Sequence, residues 1–312
     1  MNYQEARIIF MGTPDISAKV LQGLIDNGYN IVALIAQPDR PVGRKKILEP
    51  VPTKVVAVKN NIPVYQPVRI RKEFDFVNDL KPDVIVTLAY GQIVPQALLD
   101  IPKYGAINLH GSLLPKYRGA APIQYALMNN DKVSGMTLMR MVKEMDAGEM
   151  YDKEEVEISL EDNSTSLFNK MGDAALRLIL RSLPKYLNNE LVGIPQDESL
   201  VSFCPTIKPE EEKLDLSKTK EQIFGYIRAL SDLPGAYLYL DNEKFKIYKS
   251  QIISNEIIGQ IGEIVKADKN GLHLQLKDGV LSLLEVQKEG KKRMDYKSFI
   301  NGNQGLLGKV LQ

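Results

Sequence analysis

The chain has 312 residues, a length that points to two domains at roughly 100–200 residues each. Hydrophobic residues make up 44% and charged residues 25%, close to globular averages, which excludes disordered and fibrous classes. Forty Lys/Arg against 39 Asp/Glu leave a net charge of +1, so the sum alone carries no footprint of a polyanionic partner. One cysteine, Cys204, excludes an intrachain disulfide and a CxxC redox or zinc pair. Two histidines, His110 and His273, leave little room for a histidine-rich metal centre. No basic region followed by an apolar segment opens the chain, and no apolar run approaches the ~18–20 residues of a membrane span, which together point to a cytoplasmic protein.

The first two thirds alternate strand-like and helix-like segments. Arg7–Phe10 is short and apolar and runs into Met11–Asp15 (MGTPD), where Thr13 is placed as a helix N-cap with Pro14 at the first helical position. Ile16, Val20, Leu21, Leu24 and Ile25 then recur at helical spacing. Ile31–Ala36, Asp83–Ala89, Gly105–Leu109 and Gly135–Met141 read as strands, and a helix is expected near Ala120–Asn129. This alternation predicts βαβ units, a mostly parallel sheet, and a site beyond the carboxyl ends of its strands. Ser164–Asn188 carries a long helical pattern. Asn189–Pro209 has four Pro or Gly residues and no period, and reads as a linker. A helix over Lys220–Leu230 follows. Short alternating segments come next, at Tyr237–Leu240, Phe245–Tyr248, Gly262–Ala267, Leu272–Leu276 and Leu281–Val286. Their spacing predicts a small β-barrel. The expected division is a catalytic domain over 1–189, a linker over 190–208 and a barrel over 209–312.

The densest candidate for chemistry is Ile107–Leu127, INLHGSLLPKYRGAAPIQYAL. Asn108 and His110 lie two apart, so in a strand their side chains share a face. An amide there can donate to a developing oxyanion, and an imidazole with an ordinary pKa near ~6.5 can move a proton. Spacing alone does not separate this from a polar pair that anchors a loop. Asp146, in Met145–Met150 (MDAGEM), is expected at another strand's carboxyl end, where it would orient His110. An Asp that opens a turn before Gly148 is the other reading. The MGTPD turn has only Gly12 where a dinucleotide fingerprint needs three glycines, which argues against NAD. Arg40, Arg44, Lys45 and Lys46 lie in a Pro/Gly loop suited to phosphates, or to plain solvation. From Lys244 to the last residue, 12 Lys/Arg face 7 Asp/Glu, with Lys291, Lys292 and Arg293 as the densest cluster. A barrel with a basic face is one way to hold a nucleic-acid backbone. The charge is therefore gathered in places that the sum conceals.

At these residues the chain resembles the formyltransferases that use 10-formyltetrahydrofolate. Asn108, His110, the stretch Ser112–Pro122 (SLLPKYRGAAP) and the distal Asp146 carry the shared signature. MGTPD, Gln37–Lys46 (QPDRPVGRKK), Ile227–Tyr237 (IRALSDLPGAY) and Gly290–Met294 (GKKRM) resemble the branch that acts on tRNA, so the likeness runs almost the whole chain. It implies an α/β fold: a Rossmann-like catalytic domain joined to an OB-like barrel that binds tRNA. It also implies transfer of a formyl group from 10-formyltetrahydrofolate, with no metal, to the α-amine of methionine on initiator tRNA. By the same resemblance Asn108, His110 and Asp146 are catalytic. Ser112, Leu113, Leu114, Pro115, Ala89, Tyr90 and Gly91 hold the folate, and Arg40, Arg44, Lys45 and Lys46 meet the tRNA. The alternatives are the same donor with an amino-sugar nucleotide as acceptor, or an RNA-binding protein without activity. Nothing in the sequence demands more than a monomer.

Overall fold

The computed structural model describes residues 4–42 and 47–312. They fall into two compact units: Met1–Gly119, Ser134–Glu157 and Phe168–Cys204 form the first, and Ala120–Val133, Ile158–Leu167 and Pro205–Gln312 the second. The chain thus passes between the units more than once, where the sequence suggested a single crossing over 190–208. Residues up to Cys204 belong to the first unit because they are hydrogen-bonded into it, as described below.

In chain order the elements are β1 (Ile8–Gly12), α1 (Asp15–Asp26), β2 (Ile31–Ile35), the short antiparallel pair β3 (Arg40–Val42) and β4 (Ile47–Glu49), α2 (Pro52–Lys59), β5 (Val64–Tyr65), α3 (Phe76–Leu80), β6 (Val84–Leu88), α4 (Gln96–Leu99), β7 (Ala106–His110), α5 (Pro122–Met128), β8 (Val133–Arg140), β9 (Met150–Glu157) and α6 (Ser164–Leu187). The main sheet has the order β5-β2-β1-β6-β7-β8-β9. Its first five strands are parallel, while β8 runs antiparallel to β7. Strands β1 and β6 are buried at every position, which is why they read as unbroken apolar runs. Ile9, Met11, Ala33, Ile35 and Ile85 pack one of the sheet's two cores with Val77 and Leu98. From β1 the chain works outward to β5 and then restarts at β6. Ligands of such sheets bind at this switch point, beyond the carboxyl ends.

The N-cap expected at Thr13 is not formed. Helix α1 begins at Asp15 with Pro14 in the cap position and no side-chain cap bond. The Thr13 hydroxyl instead donates to Tyr90 O at 3.0 Å and accepts from Gln37 N at 3.2 Å. It ties together the loops that leave β1, β2 and β6.

The second unit carries α7 (Lys220–Leu230), β10 (Ala236–Leu240), β11 (Glu243–Ser254), β12 (Ile264–Asp268), β13 (Gly271–Leu276), β14 (Gly279–Lys288), β15 (Met294–Asp295) and α8 (Tyr296–Asn301). The Thr219 side chain caps α7 in a reciprocal box with Gln222. The strands are antiparallel in the order β10-β11-β14-β13-β12, with β15 beside β14. The segment Gly308–Gln312 joins the two open edges. Tyr239 on β10 and Gln312 exchange two backbone bonds of 2.7 and 3.0 Å, while Gly308 donates to Ile264 O on β12 at 2.9 Å. Leu238, Phe245, Ile247, Leu274, Leu283 and Phe299 fill the interior. No helix among the described residues is long and apolar enough to cross a membrane.

Candidate active site

His110 ends β7, and Asn108 lies two residues before it on the same face. Adjacent β6 is parallel, with Thr87 opposite Asn108, so the loops after both strands leave the same sheet edge. Asn108 is half-buried and makes no side-chain hydrogen bond among the described residues, which leaves its amide able to donate to a ligand. His110 is 5% exposed, and its Nε2 lies 2.8 Å from Tyr117 O. A carbonyl only accepts, so Nε2 carries a proton and Nδ1 is the nitrogen left for exchange. Nδ1 faces Asp146 Oδ1 at 3.6 Å. This is ion-pair range, longer than a hydrogen bond, as catalytic pairs without substrate often are.

Asp146 follows the carboxyl end of β8, but that end does not face His110 as the sequence suggested. Strand β8 is antiparallel, and its end at Arg140 lies opposite Ile107, away from His110. The loop between β8 and β9 brings the carboxylate back. Gly148 makes this return possible, because a Cβ there would stand 2.0 Å from Arg140 O. The other Asp146 oxygen, Oδ2, accepts from Gly119 N at 2.9 Å. Gly119 itself has φ +128°, and a Cβ would meet Cys204 O at 2.7 Å. Asn108, His110 and Asp146 are therefore brought together, with one hydrogen-bond donor and one proton-handling pair.

The stretch Ser112–Pro115 is fixed from behind. Thr137, opposite His110 on β8, donates through Oγ1 to Ser112 O at 2.7 Å and accepts from Leu114 N at 3.1 Å. Lys153 on β9 donates to Leu114 O at 2.6 Å, and burial pushes its ammonium pKa below the ordinary value. Ala89, Tyr90 and Gly91 line a separate cavity of about 530 Å³ with Thr13, Gln37 and Arg40. It lies beyond β1, β2 and β6, at the switch point. The Tyr90 hydroxyl is buried with no hydrogen-bond partner among the described residues, and burial raises its pKa. The Tyr90 ring belongs to the sheet's apolar core with Ile70, Val77 and Leu98.

Residues 6–183 match the family described as "Formyl transferase", and residues 206–304 its C-terminal domain. The chain is 45% identical to the methionyl-tRNA formyltransferase of Lactobacillus acidophilus over 298 residues, 95% of each chain. It is 43% identical to that of Mesoplasma florum over 297 residues, again 95% of each. The chain belongs to the formyl transferase family. The formyl transferase fold recurs in solved structures of lower identity. A sugar 3N-formyltransferase, WlaRD, solved with dTDP and 5-N-formyl-THF, superposes with a TM-score of 0.67 at 21% identity, over 92% of this chain and 99% of its own. HypX of Aquifex aeolicus, in complex with tetrahydrofolic acid, gives 0.67 at 15% identity over 97% of this chain, which spans 48% of HypX.

The basic residues expected in this formyl transferase divide three ways. Arg44, Lys45 and Lys46 lie outside the described residues. Arg40, Lys291 and Lys292 are exposed. Arg293 is not a free cation: it pairs with Asp232 and Glu285 and lies over the Tyr248 ring. Sequence reading missed Tyr117, Gly119, Thr137 and Gln196. The first two stand inside the recognised stretch Ser112–Pro122 and were open to suspicion. Thr137 looks like any strand threonine, and Gln196 stands in a segment that reads as linker.

Proposed function

We propose that this chain moves the formyl group of 10-formyltetrahydrofolate to the α-amine of methionine on initiator methionyl-tRNA. The observation that carries this is the 43–45% identity over 95% of the chain to relatives of that activity. The fold alone does not choose the acceptor, because the sugar formyltransferase matches over both units at 21% identity.

The reaction forms a bond from the methionine nitrogen to the formyl carbon and breaks the bond from that carbon to the folate nitrogen. A tetrahedral intermediate with an oxyanion lies between. Asn108 donates its amide to the oxyanion, a contact worth about 3–4 kcal/mol in comparable sites. The proton lost by the amine passes through His110 and Asp146, and the departing folate nitrogen gains one. The products are N-formylmethionyl-tRNA and tetrahydrofolate. Folate is assigned to Ala89–Gly91 and Ser112–Pro115, and tRNA to Arg40, Arg44, Lys45, Lys46, Lys291 and Lys292. The protein acts in the cytoplasm as a monomer. Formyl transfer to charged initiator tRNA, compared with charged elongator tRNA and an amino-sugar nucleotide, tests the reading. Initiator is expected to be preferred by more than about tenfold in kcat/KM, roughly 1.4 kcal/mol. A better rate on the sugar overturns it.

A further inference from the structure

Asp146 has φ +52°, in the left-handed region that residues other than glycine seldom occupy. A conformation of this kind persists where its surroundings over-determine it. Here Gln196 does so: its Nε2 donates to Asp146 O at 2.7 Å and to Gly148 O at 2.9 Å, bracketing the turn. The amide cannot be turned round. Arg118 Nε donates to Gln196 Oε1 at 2.9 Å, and a guanidinium has no acceptor, so the oxygen faces Arg118 and the NH₂ faces the two carbonyls. Arg118 is itself held by Glu198, at 3.3 and 2.7 Å. Both Arg118 and Gln196 are at least nine-tenths buried, at 5% and 9% exposure. The same segment grips the histidine side: Tyr117 N donates to Ser202 Oγ at 3.0 Å, and Tyr117 O accepts a hydrogen bond from His110 Nε2.

We propose that Gln196, oriented by Arg118, is a positioning residue that fixes the Asp146 carboxylate against His110. It touches no reacting atom. The inference rests on the reading of Asp146 as catalytic.

The test is a pair of variants in the full chain, each folded by thermal melting and assayed for formyl transfer to initiator methionyl-tRNA. Gln196→Glu keeps an oxygen towards Arg118 but turns a second acceptor on the two carbonyls. Gln196→Met removes both donors at similar length and without charge. Each is expected to slow single-turnover transfer about 10–100-fold, the cost of a misplacement on the order of 1 Å, with KM for both substrates within about twofold. In an Asp146→Asn background the same changes are expected to cost less than about twofold more, since residues that act as a unit are not additive. If Asp146→Asn alone transfers at a near-normal rate, the catalytic reading fails. If that variant is slow but the Gln196 variants are normal, or their losses multiply with it, the positioning role is overturned and the catalytic reading stands. Variants that do not fold sink the positioning role too, because it requires folded, slow enzymes.

Discussion

The two units use buried polar groups differently. In the first, His110, Ser112, Arg118, Thr137 and Gln196 are all buried within hydrogen-bond chains that converge on one sheet edge. In the second, Gln275 is fully buried and donates to Glu256 O, Leu276 O and Gly279 O, so it serves the barrel's own backbone. Arg228 likewise donates to Ser159 O, Asp162 O and Asn130 Oδ1. The exposed charge of that unit lies at the surface, at Lys291 and Lys292. One unit gathers its buried polar groups around the candidate site, and the other turns them on its own backbone while presenting charge at Lys291 and Lys292.

The largest test of that contrast is at the sheet edge. His110→Ala and Asp146→Asn are each expected to lower turnover by about 100- to 10,000-fold, the usual worth of a positioned proton carrier, while the melting temperature stays within about 3 °C. Near-normal turnover in either folded variant would remove the assignment. The imidazole and the carboxylate are opposed across 3.6 Å. The double variant is therefore expected to be little worse than the poorer single one.

These residues were legible because Asn108 and His110 close a β-strand with the right spacing and Asp146 stands in a recognisable loop. Four of the five parallel strands, β1, β2, β6 and β7, were legible too as apolar runs, whereas β5 is only the half-buried pair Val64–Tyr65 and gave no signal. Other parts were hidden for physical reasons. Strand β9, MYDKEEVE, reads as solvated charge, yet Arg181 and Arg177 of α6 neutralise Asp152 and Glu154 at 2.7–2.9 Å. Burial works against the Asp152 carboxylate, but the Arg181 and Ser182 hydrogen bonds outweigh it and hold its pKa low. Charges on an edge strand also guard it against pairing. Strand β11 was seen only over Phe245–Tyr248 because its register against β14 shifts at Ile247/Lys249, Lys249/Ser250 and Ile252/Ser254. Such bulges break the period-two signal. Gln196 gave no signal at all, since its meaning lies in carbonyls some fifty residues away.

In the second unit the expected losses are of stability. Burial pushes the Arg228 pKa below its ordinary value, its Nε has no partner among the described residues, and its guanidinium lies over the Phe224 ring. Arg228→Met strips four acceptors, Ser159 O, Leu160 O, Asp162 O and Asn130 Oδ1, of this donor. A cost of about 3 kcal/mol in unfolding free energy is expected by denaturant titration, with turnover at 20 °C within about twofold. A loss of turnover in the folded variant would blur the contrast between the units.

Surface charge comes next in size. Lys291→Ala with Lys292→Ala is expected to weaken tRNA binding about 3–10-fold and to flatten the plot of log Kd against log salt by ~1–2. Arg293→Ala removes the same formal charge but a paired one. Less than about a twofold change is expected from it, with no change of slope. Equal effects from the two would show that pairing with Asp232 and Glu285 leaves Arg293 available to phosphate.

The smallest effect concerns the second histidine. His273 on β13 faces Lys266 across β12 and Ser282 across β14. Burial, aided by Lys266 and opposed by Asp268, holds its imidazole pKa below the ordinary value. The folded chain therefore binds fewer protons than the unfolded chain once pH falls below about 6.5, the unfolded value. Stability from this group is intact above that pH and declines as pH falls through it. His273→Gln keeps a polar side chain that does not titrate. Between pH 7.5 and pH 5.5 the variant's melting temperature is expected to fall about 1–2 °C less than that of the parent. Parallel curves would mean that His273 meets water as freely in the folded barrel as in the unfolded chain. That would place it outside the rule that groups in this unit are buried for folding.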